Sequence, residues 1–316
     1  MRLAPWRRRW HFSARSEYGA PDECKGTLSI RQGALTDDLF APVRRLPQNA
    51  GYGPHVDAGI ADTVRPDYHR DPVGTSGEST SWIAVIGDRI DGLEPQDTIA
   101  TALAHAATAQ GASLPELRWL GTDRIERDGV ALLQGAAGAW CAPGSPYRSL
   151  TGALDALAFA RRQRLPLLGT CAGFQHGVIE FARNALGHAA AAHAEYGTDG
   201  EDELFIDELL CSLVGQVMDV DIVDDQLAAM YGARRATERY YCRFGLNPKW
   251  RLPLHRAGLV VAGTDATDGD VRILRLTDHP YYVLTLFVPQ TSSTPAVPHP
   301  LVAGFLAAVN TYAGDP

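Results

Sequence analysis

The chain has 316 residues, 45% of them hydrophobic, which is enough to bury a substantial core in one large domain or two small ones. A formal net charge of −8 argues against a general nucleic-acid-binding protein, because polyphosphate backbones bind basic surfaces. The five cysteines are widely spaced and form no CxxC pair, so the sequence predicts a reducing compartment and neither a zinc site nor a disulfide framework.

The N-terminal quarter differs in composition from the rest of the chain. Over residues 1–80, Pro, Gly, Asp, Arg and His are scattered without a sustained period, and 74–81 has the composition of a flexible linker. We predict a poorly ordered extension over 1–80, the alternative being a lid or a partner-docking arm. The arginine-rich N-terminus lacks the apolar segment of a secretory signal, and no apolar run approaches the roughly 18 residues of a membrane span. We therefore expect a cytoplasmic protein with no membrane or nucleic-acid partner.

Residues 81–316 are predicted to form one α/β domain, because apolar strand-like runs alternate with amphipathic helical patterns. The predicted strands are 81–87, 117–120, 139–142, 165–168, 217–223, 259–263, 271–276 and 282–288. The predicted helices are 95–110, 150–162, 174–186, 204–213 and 298–312. This order predicts a mostly parallel sheet flanked by helices, with an antiparallel extension. In such sheets, sites lie at the carboxyl ends of the strands.

A cysteine stands at the apex of one strand–turn–helix pattern, in the stretch LPLLGTCAGFQHGVIEFARNAL over 165–186. A lone cysteine is usually a small buried hydrophobe. Cys171, however, lies between Gly-Thr and Ala-Gly at the junction, where small neighbours permit the sharp elbow that exposes a nucleophile. The N-terminus of the following helix favours a thiolate over a thiol. Cys171 is therefore the candidate nucleophile.

Several motifs carry a family resemblance, and their order and spacing make it specific. They are CAGFQ at 171–175, VIEFARN at 178–184, HAEY at 193–196, ER at 238–239, RF at 243–244 with Asn247, DHP at 278–280 and PHPL at 298–301. Over residues 82–312 the chain resembles the class I glutamine amidotransferases, in particular the glutaminase domain of CTP synthase. The synthetase half of CTP synthase, which binds ATP and UTP, has no counterpart here, so the resemblance implies that this chain is not a complete CTP synthase.

The resemblance implies a site for a small amino-acid-like ligand such as glutamine, without a cofactor or metal, and a separate synthetase-type protein as a possible partner. An Arg that forks onto a carboxylate and a Glu that meets an ammonium suit the α-amino-acid end of such a ligand. The implied oxyanion hole is the backbone N–H of Ala172 with that of Ser145, where Ser145-Pro146 replaces the second Gly of the family's Pro-Gly-Gly turn. The implied ligand-binding residues are Gly144, Gln175, Glu195, Arg243 and Phe244.

The general base implied by the resemblance is absent. The family places a His-Pro-Glu segment after the last sheet strand, and this chain has Val288 and Gln290 at the His and Glu positions. Val cannot move a proton and Gln cannot stabilise an imidazolium, and losing such a base lowers the rate on the order of 10⁴- to 10⁶-fold. His176 is the nearest replacement in sequence, but it lies about 140° around the helix from Cys171, so we expect its hydrogen bonds elsewhere. His193 belongs to the family pattern and is expected to be structural.

Two hypotheses remain open at this stage. In the first, Cys171 performs acyl or amide chemistry on an amino-acid-like substrate with another base. In the second, the domain is a catalytically inactive binding or regulatory subunit that binds glutamine or glutamate, or docks to a synthetase partner. An enzyme needs a carboxylate, a histidine or a tyrosine oxygen within hydrogen-bonding reach of the Cys171 sulfur, whereas a binding protein does not.

Overall fold

A computed structural model describes residues 81–197 and 203–314. The predicted extension over 1–80 lies outside the described residues. The strands are β1 (Trp82–Ile86), β2 (Glu116–Leu120), β3 (Gly138–Cys141), β4 (Leu167–Thr170), β5 (Ala191–His193), β6 (Glu203–Glu208), β7 (Val217–Ile222), β8 (Arg235–Arg239), β9 (Phe244–Leu246), β10 (Leu259–Asp265), β11 (Val271–Leu276) and β12 (Tyr282–Thr285). The helices are α1 (Glu94–Asp97), α2 (Ile99–Gln110), α3 (Thr122–Asp128), α4 (Leu150–Arg162), α5 (Ala172–Asn184), α6 (Asp225–Tyr231), α7 (Arg251–Arg256) and α8 (Pro300–Gly314).

Nine of the strands form one sheet in the order β2-β1-β3-β4-β12-β11-β10-β7-β8. The pairs from β2 to β12 are parallel, and those from β12 to β8 are antiparallel. The predicted α/β fold with an antiparallel extension is therefore confirmed, although the extension contributes as many strand pairs as the parallel part. A smaller sheet, β5-β6-β9, lies apart from the large one. Of the described helices, none combines the length and apolarity that crossing a membrane requires.

The helix predicted over 204–213 is wrong, because this segment contains strand β6. Its apolar residues imitate a helical period, but Phe205 and Ile206 are both fully buried, and Phe205 stacks on Trp250 with ring centroids 3.9 Å apart. Strand β6 pairs with β5 on one side and with β9 on the other, so its backbone groups are satisfied by distant segments. The hydrophobic pattern of residues 204–213 alone carries no information about these distant pairing partners.

Other elements also differ from the predictions. The helix predicted over 95–110 is interrupted at Thr98, which separates α1 from α2. The strand predicted over 282–288 ends at Thr285, and a 3₁₀ turn follows at Pro289–Ser292. Helix α6 was not predicted, although Asp224 caps it by accepting a hydrogen bond from the Leu227 N–H at 3.0 Å.

Helix α5 packs unusually close to the sheet, and glycines permit this approach. A Cβ atom on Gly173 would lie 2.3 Å from the carbonyl oxygen of Cys141 in β3. A Cβ atom on Gly177 would lie 2.7 Å from a methyl carbon of Leu284 in β12. Further along the helix, buried Glu180 accepts two hydrogen bonds from Arg161 of α4, at 2.8 and 2.9 Å. These contacts fix the N-terminus of α5 at the carboxyl edge of the sheet.

The contact at Gly173 gives a stability prediction. Replacing Gly173 with Ala places a methyl group against a backbone carbonyl that cannot move alone, so we expect a loss of about 1–3 kcal/mol or more in the free energy of unfolding. Urea denaturation measures this loss. The matched control is Gly314→Ala in α8, where a Cβ meets nothing within 4 Å and stability should stay level or rise by up to about 1 kcal/mol. Equal stability of the two variants would contradict the close packing.

Candidate functional site

Cys171 forms the turn between β4 and α5, as the sequence predicted. Its backbone has φ 52° and ψ −104°, a conformation that costs a non-glycine residue roughly 1–3 kcal/mol. Its N–H donates to the Thr285 carbonyl at 2.9 Å, and its own carbonyl accepts from the N–H groups of Phe174 and Gln175. The turn is therefore held by the neighbouring strand β12 and by the first turn of α5. The Cys171 side chain is 6% exposed.

The turn after β3 carries the predicted oxyanion residues, and a buried glutamine holds its start. Gln96 of α1 donates to the Pro143 carbonyl at 2.8 Å and to the Asp88 carbonyl at 3.0 Å. Gly144 follows with φ 110°, and a Cβ there would lie 3.0 Å from the Gln96 amide nitrogen. A glycine is thus required both by the backbone conformation and by the space under Gln96. The Ser145–Pro146 peptide bond is cis.

The far end of the same turn is held by two further side chains. The Tyr196 hydroxyl accepts a hydrogen bond from the Tyr147 N–H at 2.9 Å, and the Asp88 carboxylate accepts one from the Arg148 N–H at 2.6 Å. Asp88 also accepts from both the N–H and the hydroxyl of Thr122, at 3.0 and 2.7 Å. Three separate elements therefore fix the position of this turn beside α5.

Two backbone N–H groups of these turns have no hydrogen-bond partner among the described residues. Among the described residues, neither the Ser145 N–H nor the Ala172 N–H donates a hydrogen bond to another residue. Ala172 is the first residue of α5, whose N-terminal N–H groups carry a partial positive charge. These are the two donors that the sequence assigned to an oxyanion hole. Their assignment stays a prediction, supported by this placement.

The predicted ligand-binding residues fall into two contacting groups. Both polar atoms of the Gln175 side-chain amide form hydrogen bonds within the protein. The nitrogen donates to the Phe244 carbonyl at 2.9 Å, and the oxygen accepts from His193 Nε2 at 3.1 Å. His193 Nδ1 in turn accepts from the Glu195 N–H at 3.1 Å, which leaves the proton of this ring on Nε2. Gln175 and His193 therefore position the backbone of Phe244 and Glu195.

The second group consists of Glu195, Ser145 and Arg243. Burial raises the pKa of the Glu195 carboxyl, while hydrogen bonding from the Ser145 side chain and the positive charge of Arg243 act in the opposite direction. One carboxylate oxygen of Glu195 is buried and has no hydrogen-bond partner among the described residues. An acidic group, a basic group and a hydroxyl thus meet at the oxyanion turn. This is the polarity that an α-ammonium and an α-carboxylate require.

A second thiol lies beside Cys171. Cys242, between β8 and β9, lies close enough to Cys171 for the two side chains to interact, and its S–H donates to the Leu286 carbonyl at 3.2 Å. Burial raises the pKa of the Cys242 thiol well above its usual value, and the neighbouring Cys171 adds to the shift. Cys141 and Cys242 are both buried. The contact with Cys171 was missed, because the two residues are distant in sequence.

Val288 and Gln290 lie in the segment that follows β12, and β12 pairs in parallel with β4 through Thr285 and Thr170. This segment therefore leaves the sheet at the same edge as Cys171. Val288 is fully buried, and its N–H donates to the Arg239 carbonyl at 3.0 Å. The Gln290 amide donates to the Pro95 carbonyl at 2.7 Å. Neither side chain offers a group that accepts a proton at neutral pH.

His176 does not replace the missing base. Its Nδ1 is 2.7 Å from the Ala172 carbonyl, its Nε2 is 2.7 Å from the Tyr196 hydroxyl, and its ring lies 4.3 Å from that of Tyr147. The prediction that its hydrogen bonds lie elsewhere is confirmed. Within the described part of the chain, no carboxylate, histidine or tyrosine oxygen hydrogen-bonds to the Cys171 sulfur. The same part contains no group of three or more His, Cys, Asp or Glu side chains placed to hold a metal ion.

Comparison with known proteins places this site in a family. No family model matches the sequence. The CTP synthase of Chloroflexus aurantiacus is 34% identical over 236 residues, which are 72% of this chain and 43% of the relative. The CTP synthase of Herpetosiphon aurantiacus is 31% identical over the same length. The chain belongs to the class I glutamine amidotransferases. It spans less than half the length of the curated relatives that it matches.

A solved structure supports the fold of this amidotransferase domain. The glutaminase domain of Trypanosoma brucei CTPS with bound acivicin superposes with a TM-score of 0.66 and 23% sequence identity. The match covers 73% of this chain and 94% of that domain. The amidotransferase described here therefore has the fold of the CTP synthase glutaminase domain, as its motifs indicated.

The buried histidines of this amidotransferase give a pH prediction. Burial lowers the pKa of His176 to about 4 and that of His193 to about 3, against a usual value near 6.5. Between about pH 6.5 and 4 the unfolded chain binds protons that the folded chain does not. The free energy of unfolding should therefore fall as the pH drops, by up to about 1.4 kcal/mol per pH unit for each histidine.

Urea denaturation between pH 7 and pH 4.5 measures this slope. The variant His176→Gln keeps a donor and an acceptor but does not titrate, so its slope should be shallower by the contribution of one histidine. His193→Gln should show the same reduction and serves as the parallel case. Identical slopes in the wild type and both variants would show that these rings do not stay neutral in the folded protein.

Proposed function

We propose that this chain binds glutamine or a closely related α-amino acid and does not hydrolyse it at the rate of a glutaminase. The observation that carries this proposal is that the residues at the family's base positions differ from the family pattern, whereas the backbone of the Cys171 turn does not. The strained turn at Cys171 and the unpartnered N–H groups of Ser145 and Ala172 are kept. The neighbour of the Cys171 sulfur, however, is a second thiol, and Val288 and Gln290 occupy the positions of the family base and its partner.

In this proposal the α-amino-acid end of the ligand lies between Arg243 and Glu195. The Arg243 guanidinium binds the α-carboxylate, and the Glu195 carboxylate binds the α-ammonium. Gln175 contributes by holding the Phe244 carbonyl in place, which makes it a positioning residue in this geometry. Gly144 contributes by its backbone, because only a glycine adopts the φ of 110° that shapes this turn. A bound ammonium would lower the pKa of Glu195, which burial raises in the ligand-free protein.

A second candidate function is acyl transfer to Cys171, favoured by the strain that the residue retains. Cys171 has a φ of 52°, and residues held in sparsely populated backbone conformations cluster at active sites. In this reaction the Cys171 sulfur attacks the amide carbon of the ligand, the C–N bond breaks, and the thiol proton leaves with the amine as ammonia. The product is a thioester, which would persist because no described side chain activates water against it. This candidate adds a covalent step to the same binding mode.

A synthetase-type protein is the proposed partner class. The exposed apolar residues near the site support it: Leu210 is 99% exposed, and it follows Leu209, whose N–H bonds to the Arg243 carbonyl. Ile90 is 44% exposed and lies next to Gly144. Apolar side chains exposed at the edge of a site are typical of surfaces that another protein covers.

Calorimetry tests the binding mode. Glutamine should bind the wild type, and Arg243→Ala should weaken binding at least about tenfold, because the α-carboxylate loses its charged partner. Arg256→Ala is the matched control, since Arg256 is exposed on α7 away from the site and its loss should leave the affinity unchanged. Absence of binding of both glutamine and glutamate to the wild type would contradict the proposal. Equal affinities of the two variants would contradict the role of Arg243.

Intact-mass spectrometry with acivicin and with glutamine tests the covalent candidate. A reactive Cys171 should form one acivicin adduct in the native protein that is lost in Cys171→Ser, and incubation with glutamine should leave a thioester but release ammonia only once per site. If Cys171 reacts only after denaturation, the acyl-transfer candidate is wrong and binding alone remains. The variant Val288→His with Gln290→Glu restores the family base, and sustained ammonia release in this variant but not in the wild type would show that only proton transfer is missing.

A further inference from the structure

Two cysteines from distant parts of the chain meet on the same end of strand β12. The Cys171 N–H donates to the Thr285 carbonyl at 2.9 Å, and the Cys242 S–H donates to the Leu286 carbonyl at 3.2 Å. The two cysteines are thus held by consecutive residues, Thr285 and Leu286, and their side chains are near enough to interact. Among the described residues, no carboxylate, histidine or tyrosine hydroxyl hydrogen-bonds to the Cys171 sulfur. The immediate chemical environment of Cys171 is therefore a second sulfur.

The two thiols differ in the ways that a reactive and a resolving cysteine differ. Cys171 is 6% exposed and precedes the thirteen-residue helix α5, whose N-terminal N–H groups carry a partial positive charge. Cys242 is 2% exposed, and burial favours its protonated form. An oxidant that enters the site meets Cys171 first. Cys242 is already in contact with the sulfur that would be oxidised.

A third buried thiol lacks these features and provides a comparison. Cys141 is fully buried in β3, its sulfur lies 3.4 Å from the Tyr147 hydroxyl, and burial raises its pKa to about 12. It has neither a helix N-terminus of its own nor a thiol neighbour in the part of the chain that the structure describes. Burial alone thus does not create the arrangement seen at Cys171 and Cys242.

We propose that Cys171 and Cys242 form a dithiol site that a hydroperoxide oxidises to an intramolecular disulfide. In the first step the Cys171 thiolate attacks the terminal peroxide oxygen and the O–O bond breaks. Cys171 becomes a sulfenic acid, and the released oxyanion takes up a proton to leave as water or an alcohol. In the second step the Cys242 sulfur attacks the Cys171 sulfur, the S–O bond breaks, and the hydroxide leaves with the Cys242 proton as water. Two sulfurs are oxidised by two electrons in total, and one peroxide is reduced.

The site goes beyond the proposed binding of an amino acid and does not depend on it. If the proposed function also holds, the disulfide removes the Cys171 thiol from the ligand site, and a dithiol reductant restores it. Reaction with hydroperoxide and reaction with an amino-acid ligand would then be mutually exclusive at the same sulfur.

Peptide mapping after hydrogen peroxide treatment tests the proposal on the full chain. Trypsin cuts after Arg239 and Arg243, so Cys242 falls in the tetrapeptide YYCR, and Cys141 and Cys171 fall in two other peptides. After oxidation, quenching and alkylation under denaturing conditions, we expect the Cys171 peptide joined to YYCR, about 2 Da lighter than the sum of the two reduced peptides. Dithiothreitol should abolish this species. The readout needs no amino-acid ligand, so its failure is distinguishable from failure of the proposed function.

A variant pair identifies the resolving thiol. In Cys242→Ser the sulfenic acid on Cys171 should persist, so its dimedone adduct should rise on the order of tenfold over the wild type. Cys141→Ser should leave the cross-linked peptide unchanged. Equal dimedone labelling in the wild type and Cys242→Ser, a disulfide from Cys171 to any other cysteine, or no oxidation of Cys171 would each overturn the proposal. If Cys242→Ser does not fold, the peptide map of the wild type still tests the proposal. A cross-link between the Cys171 and Cys242 peptides supports the dithiol site, and its absence contradicts it.

Discussion

The junction between β4 and α5 is the constraint on which the site depends. Helix α5 begins immediately after Cys171 and lies so close to the sheet that Gly173 and Gly177 cannot carry side chains. This contact leaves no freedom for the chain to leave the strand gradually, so the turn is completed by one residue with a positive φ. The hydrogen bond from Cys171 to Thr285 then fixes the turn to β12. The thiol, the helix N-terminus and the end of β12 are brought together by this single arrangement.

The supports of the oxyanion turn and the machinery of proton transfer are physically independent, and the chain keeps one without the other. Asp88, Gln96 and Tyr196 hold the backbone after β3 with hydrogen bonds from three different elements. These contacts orient donors and need no group that titrates near neutral pH. Val288 and Gln290 occupy the other wall, where a base would have to accept a proton. Preorganised donors bind a polar ligand whether or not a base is present, which is why the site supports binding more directly than turnover.

Burial gives the site its electrostatic character. The rings of His176 and His193 are held neutral because the folded protein cannot solvate their charged forms, and the same cause keeps the Cys242 thiol protonated. Charge is therefore concentrated in Glu195 and Arg243 at the outer side of the site. Sulfur chemistry lies on the inner side, where Cys171 and Cys242 meet. The charged groups and the thiols of the site are therefore separate features.

The sequence by itself determined the features that depend on neighbours in the chain. The elbow at Cys171, the bounds of α4 and the family motifs are local, because a strand, a small-residue turn and an amphipathic period are each encoded within about twenty residues. The prediction that Val288 and Gln290 replace the family's base and its partner also rests on local sequence. The tertiary structure alone decided that 204–208 is a strand, since β5 and β9 supply its backbone partners. It also decided that the side chains of Gln175 and His176 form hydrogen bonds with other protein groups. It also decided that Cys242 meets Cys171, because pairing across β12 joins segments that no local pattern connects.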